Sequence, residues 1–249
     1  MKNWYIVQTF SGFENLNSES TIARIVLTSI LRELGPVLAG LMVAGRVGAK
    51  MAAVSQAHDE ARHFYVIRDY LCRRFDFKPK AIFTPALRVL EEVDQTESLA
   101  KKLLGLQLMV EPVAITIFRF LRKSNVDPVL TKILPLFEQD ESRHIALGVK
   151  YLPNLIKKMS FFEKIFFVIW QVRLILYEIK GLKCIEGDLE ALGISPREVF
   201  EFAENKQIMC LKELSSEFGV GDRLWRPVIK IIEFKKKLAF YPQKEHSLF

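Results

Sequence analysis

The sequence predicts an all-α protein, on three observations. Half of the 249 residues are hydrophobic and the mean hydropathy is +0.14, enough for a sizeable core. Prolines and glycines are few, ten and twelve in the whole chain, so long helices can run uninterrupted. Strict apolar–polar alternation, which marks half-buried strands, is scarce.

Residues 1 to about 16 are the exception: Trp4 to Phe10 reads as a short strand followed by a loop. A lone strand cannot satisfy its ladder hydrogen bonds, so no independent fold is expected there. Residues 22 to 53 read as a helix with Gly40, Ala44, Gly48 and Ala52 four apart, a small-residue stripe that lets backbones approach closely. Leu34 to Gly45 is uncharged but only 12 residues long, too short to cross a bilayer alone. Val54 to Phe75 forms one helix, and Pro79 and Pro85 punctuate a connection to a shorter helix ending near Val93. Asp94-Gln95-Thr96-Glu97 reads as a capping box opening a helix to Lys123. Asn125 to Pro128 stops that helix and starts the next, with Pro128 in a tolerated first-turn position. The next helix ends near Tyr151-Leu152-Pro153, and an aromatic-rich helix follows from Phe161 to Lys183. Ser195-Pro196 opens another, and Leu224 to Phe240 is the last candidate.

The formal charge of +7 and pI near 9.2 would suit an acidic partner, yet basic residues are spread widely apart from Arg223 to Lys237. No nucleic-acid role is therefore expected. Cys72, Cys184 and Cys210 lie far apart without metal-type spacing, which predicts reduced thiols and a cytoplasmic protein. No secretory signal is evident at Met1-Lys2-Asn3-Trp4-Tyr5.

The pattern that carries chemistry occurs twice: Glu60-Ala61-Arg62-His63 and Glu141-Ser142-Arg143-His144. On a helix, positions i and i+3 share a face, so each copy aims a carboxylate and an imidazole the same way. Between them Glu111 lies in an otherwise apolar helical stretch, Leu108 to Ala114. Such faces meeting inside a bundle build an iron or manganese site, because oxygen and imidazole ligands suit first-row divalent metals. The chain has four histidines, His58, His63, His144 and His246, and two of them fall in the required place. The competing reading makes Glu60, Arg62, Glu141 and Arg143 a solvated helix face. Pro112, directly after Glu111, removes a backbone hydrogen bond and bends the helix beside the carboxylate.

Three resemblances follow from these residues. His58 to Phe64 and Phe137 to Gly148 resemble the ferritin-like di-iron carboxylate superfamily, over residues 54–249. That resemblance implies a ferritin-like bundle with extra C-terminal helices, metal ligands Glu60, His63, Glu111, Glu141 and His144, and a di-iron or Mn/Fe cofactor. The superfamily's first-helix glutamate has no counterpart; Glu33 and Glu138 are the candidates. Two ferrous ions carry four positive charges against three from these glutamates, so at best one metal position is well occupied. Residues 1–16 resemble the opening strand of NusG-type transcription antitermination factors. Ile30 to Lys50, within residues 22–53, resembles the MlaE-type permease of lipid ABC transporters. Residues 1–53 are thus expected as a foreign composite segment, and 54–249 as a domain lacking its usual first helix.

The function expected is a di-iron oxidoreductase activating dioxygen on an unknown small-molecule or protein substrate, with no membrane involved and a homodimer as a further candidate. The alternatives are non-catalytic metal binding and a membrane-associated permease fragment. Phe161, Phe162, Phe166, Phe167 and Trp170 are expected as core or as an apolar channel, and residues 224–240 as an amphipathic surface helix. Any metal reading requires His63 and His144 to lie within about 10 Å of each other and away from solvent.

Overall fold

The computed structural model describes residues 47–75, 85–218, 226–231 and 234. The expected strand at Trp4–Phe10, the small-residue helix up to residue 46 and Glu33 lie outside the described residues, as does most of 224–240. All the described secondary structure is helical, in agreement with the all-α expectation. The helices are α1 (Val47–Phe75), α2 (Pro85–Gln95), α3 (Leu99–Leu103), a π-helical segment (Leu104–Val110), α4 (Glu111–Lys123), α5 (Pro128–Lys157), α6 (Phe161–Cys184), α7 (Glu186–Ala191) and α8 (Pro196–Phe218).

Local chemistry sets most boundaries. Asp127 caps α5 by accepting from the Val129 and Leu130 amides at 2.7 and 3.2 Å. Ser160 and Glu163 form a reciprocal capping box at the start of α6. The cap expected at Asp94–Glu97 is instead Ser98, whose hydroxyl accepts from Lys101 N, because α2 continues to Gln95 and uses up those residues. Pro153 does not end α5, which carries both Pro135 and Pro153 and runs on to Lys157. The helix α1 begins before residue 54 and passes without a break through the boundary expected there, with Ala53 already in the core.

Three consecutive helical pieces, Leu99 to Lys123, form the central rod of the body. This rod is long and apolar enough to cross a membrane by composition, yet 78% of its most apolar window is buried inside the protein. Its apolarity is accounted for by packing. It lies against α5 along most of its length, while α8 packs on both, α1 packs on α5 and α2 packs on α6.

Two apolar cores result. One gathers Ala53, Leu106, Leu108, Met109, Leu147 and Leu152 with Phe167, Trp170 and Leu174 of α6. The other gathers Ile67, Leu71, Ala114, Phe118, Leu134 and Phe137. On α1, on the central rod and on α5 the change from one core to the other falls at the same level: between Ala53 and Ile67, Met109 and Ala114, and Phe137 and Leu147.

Close contact between α5 and the π segment depends on Gly148. A Cβ there would stand 2.6 Å from Gln107 Cβ and 3.2 Å from Leu108 Cδ2. Gly148→Ala is therefore expected to cost about 1–3 kcal/mol through overpacking, lowering Tm by several degrees. Gly187→Ala, where nothing lies within 4 Å, should leave Tm unchanged or raise it, since alanine favours helix. Thermal melts of the two variants check this, and equal losses would reject the packing account.

Candidate metal-binding site

The polar layer between the two cores contains the five ligands expected from the two Glu-x-x-His patterns and Glu111. Glu60 and His63 come from α1, Glu111 from the first residue of α4, and Glu141 and His144 from α5, all of them buried. One ligand atom each from Glu60, Glu111, Glu141 and His144 lie within 4.8 Å of one another. His144 Nδ1 sits 2.7 Å from Glu141 Oε2, 3.0 Å from Glu60 Oε1 and 3.3 Å from Glu111 Oε1. His63 stands at the edge, its Nδ1 3.2 Å from Glu141 Oε1 and 3.5 Å from Glu60 Oε2. The two imidazole centroids are 6.4 Å apart, inside the limit required of a shared site. Both rings direct Nδ1 to the centre and leave Nε2 facing outward.

Glu111 reaches the centre because the helix loosens just before it. Its backbone N–H bonds to Leu106 O, a π-type bond across five residues. Pro112 follows, where it has no amide to lose, so the distortion expected at the proline is taken up by the π segment ahead of it. Gln56, one turn before Glu60, donates to Glu111 Oε1 at 2.8 Å and accepts from Gln107 Nε2 at 3.1 Å. A neutral amide thus supports the third carboxylate, and no fourth carboxylate joins the cluster among the described residues. Glu138 is ion-paired to Arg122 at 2.9 Å, away from the centre.

Sequence reasoning missed an outer ring. Asp140 accepts from His63 Nε2 at 3.0 Å, and Asp59 lies 3.4 Å from His144 Nε2, each aspartate serving the histidine of the other helix. Arg62 and Arg143 each bridge both aspartates, at 2.5 to 3.2 Å. The signal was present, because both copies read Asp-Glu-x-Arg-His. Aspartates in this position fix the ring and leave the opposite nitrogen free to ligate.

Electrostatically the cluster neutralises itself with protons. Burial pulls the His63 imidazole down, but the Glu141 and Glu60 carboxylates outweigh it and hold the ring at about 10. Burial also opposes a charged His144, and Glu111, Glu141 and Glu60 raise it far above an ordinary histidine. Burial acts on Glu141 too, yet His144 and His63 bring it well below the usual range. Glu111 moves the other way, raised by burial and then by Glu141 and Glu60. Both oxygens of Glu60 and Nδ1 of His63 make ion-pair approaches of 3.0 to 3.5 Å without hydrogen-bond geometry, and Oε2 of Glu111 has no hydrogen-bond partner. Buried acceptors without donors are costly, and a divalent cation satisfies them where protons do so only in part. The donor set, three carboxylates and one or two imidazoles, fits iron or manganese.

A second, part-buried pair braces this layer. Gln207 of α8 donates to Met109 O at 3.3 Å and to Glu178 Oε2 of α6 at 3.0 Å, tying the π segment to its neighbours.

Comparison with known proteins addresses the other end of the chain. Residues 4–54 match the family of the permease MlaE. A probable ABC transporter permease protein of Rickettsia bellii is 62% identical over 47 residues, as is one of Rickettsia felis, and one of Rickettsia prowazekii is 57% identical. Those 47 residues are 19% of this chain and 18% of each relative, so the chain spans about a fifth of the length of the curated relatives it matches. No solved structure matches.

These findings correct several expectations. The permease similarity begins at residue 4 and replaces the NusG-type resemblance of residues 1–16. A cytoplasmic di-iron oxidoreductase turning over dioxygen on a small-molecule or protein substrate, with the membrane uninvolved, is overturned by the permease match. The matched segment is similar to probable permease proteins and has no counterpart in the oxidoreductase expected. Buried ligands in a helical layer show geometry but no turnover.

Burial raises Glu178 from its ordinary 4.5 to about 7, with the Gln207 amide opposing. Because the folded value is the higher, the unfolded chain loses this proton first as pH rises, and stability falls between about 4.5 and 7. Glu178→Gln, which keeps an acceptor for Gln207, should raise Tm relative to the parent at pH 8 and leave it unchanged near pH 4. A pH-independent effect would show that the carboxyl does not titrate in this window.

Proposed function

We propose that this chain is a membrane-associated protein in which a permease-type N-terminal segment carries a helical body. The observation behind this reading is the 62% identity over 47 residues to probable ABC transporter permease proteins. Such identity over a segment rich in small residues conserves a helix-packing surface of the kind used within bilayers. What carries over is residence at a membrane, with an ABC-type transporter as the partner class. Transport by this chain alone is not part of the proposal, since four-fifths of each relative has no counterpart here. Fractionation tests the reading. The full chain should sediment with membranes and need detergent for release, and recovery in the soluble fraction without detergent would refute it.

A second reading concerns the body and stands on a separate observation, the convergence of Glu60, Glu111, Glu141 and His144 within 4.8 Å. We propose that these residues, with His63 at the edge, bind a divalent iron or manganese ion in a ferritin-like arrangement. Buried oxygens of Glu60 and Glu111 outside any hydrogen bond support it. With three carboxylates available, one metal position is expected to fill well. Binding would displace protons from the histidines, so affinity should rise with pH. Metal analysis of the purified chain should find about one ion. Glu60→Ala and Glu141→Ala should each weaken binding by at least about tenfold to a hundredfold, a loss already typical of merely supporting residues. Two tightly held irons per chain, or unchanged metal content in both variants, would reject this assignment.

A further inference from the structure

The aromatic stretch that opens α6 divides between two environments. Phe167 and Trp170 are in the core, but Phe161 is 72% exposed, Phe162 70% and Phe166 65%, with Ile165 and Ile169 also outside. At 100° per residue these five residues form one continuous stripe, and Phe167, Trp170 and Leu174 form another on the opposite side. The helix is therefore apolar on both faces, the pattern of a helix with a second apolar neighbour. Among the described residues, five of the twelve exposed large hydrophobic side chains fall within these nine positions. Scattered exposed apolar residues need no account, whereas a contiguous set of this kind marks a contact surface.

Two observations identify its occupant. Lys158 lies exposed just before the stripe and the half-buried Lys164 flanks its Phe161 edge, while Glu163 is tied into the capping box at the helix start. Aromatic residues flanked by lysine suit a surface that is apolar beneath and anionic above. The stripe also lies at one particular end of the body. Gly48, at the start of α1 and inside the permease-like segment, faces Tyr151 Oη 3.7 Å from its Cβ position. Tyr151 is in the last turns of α5, which ends at Lys157, and α6 begins at Phe161. The permease-like segment thus enters the body where the aromatic stripe is presented.

We propose that Phe161, Phe162, Ile165, Phe166 and Ile169 dock the body onto an anionic lipid bilayer surface, shallowly and without spanning it. The inference rests on the membrane reading of the N-terminal segment, which brings this end to the bilayer. Nine residues of helix make a contact about 13 Å long, with side chains entering about 5–10 Å below the headgroups. Each phenylalanine moved from water to hydrocarbon favours the bound state by about tenfold or more.

The test uses the full chain in vesicles of phosphatidylcholine and phosphatidylglycerol that carry lipid-borne quenchers. Cys72→Ser and Cys184→Ser clear the background, and an environment-sensitive fluorophore is placed at Phe162→Cys. The control, Lys132→Cys, lies near the opposite end of α5, about 28 Å from Tyr151 along the helix. The fluorophore at 162 should be quenched on the order of fivefold more than the one at 132, given that depth. The double variant Phe161→Ser/Phe166→Ser should abolish most of that quenching and keep the parent melting curve, since both side chains are exposed. A chain that sediments with vesicles while its 162 fluorophore stays in water overturns the docking and leaves the N-terminal reading intact. A chain that never associates with vesicles overturns both. Shielding of the 162 fluorophore without lipid, rising with protein concentration, would show a protein contact and also overturn it.

Discussion

The structure depends on a layer of buried ionisable groups held between two apolar cores. Burying an isolated charge is among the most expensive acts in folding, so such a layer persists only if every charge is met. Here the two Nδ1 atoms face three carboxylates inside, and the two Nε2 atoms face aspartates outside. Arg62 and Arg143 then close the ring around those aspartates. The symmetry is physical. Two five-residue patterns that match at four positions, on antiparallel helices, place each aspartate beside the other helix's histidine, so neither copy is satisfied without its partner. The bundle's register is consequently tied to the site, because a one-turn slip of α1 against α5 would strand four charges at once.

Glu111 enters this layer by a different route. It has no histidine three residues on, and the helix widens just before it to present it. The π segment supplies the adjustment, at the cost of backbone groups that the regular ladder would have used. One backbone carbonyl of the segment is met from the side. Gln207 ties down Met109 O, and Gln56 and Gln107 carry a chain of amide hydrogen bonds to the carboxylate itself. Gly148 then lets α5 press against the loosened turn. Distortion, amide brace and glycine contact form one device whose product is the position of a single oxygen pair.

Much of this was legible in the sequence, for an identifiable reason. Helix periodicity places i and i+3 on one face whatever the tertiary context, so the two Glu-x-x-His faces and their meeting with Glu111 follow from spacing. The outer ring was not legible in the same way. Asp59, Asp140 and the two arginines have the composition of a solvated face, and only the repetition of their offsets hinted otherwise. The π segment was unreadable, since Leu104 to Val110 is as good an α-helix former as its neighbours and the widening comes from tertiary demand. Pro153 misled because its missing hydrogen bond was given more weight than the packing of Leu152 and Ile156 beside it, both fully in the core. The aromatic start of α6 misled in the other sense: phenylalanine density argues for burial, but not for burial within this chain. The function drawn from the ligand pattern failed because local geometry at one end of a chain does not determine where that chain resides.

The body's own polarity argues against immersion in hydrocarbon. Arg62 and Arg143 are 37% and 53% exposed at the side chain, and hydrocarbon around such guanidinium groups would be costly. The one rod with spanning length and hydropathy is already enclosed by protein and carries Glu111 in its middle. On α1, Gly48 and Glu60 are twelve residues apart, about 18 Å of rigid helix. That helix starts in the permease-like segment and ends in the far core, so it acts as a spacer of fixed length. In the proposed docking, a membrane contact at its first turn leaves Arg62 and Arg143 on the water side of the headgroups. The same continuity joins the first turn of α1 to Glu60, so whatever holds that turn also sets the position of the buried carboxylates along the helix.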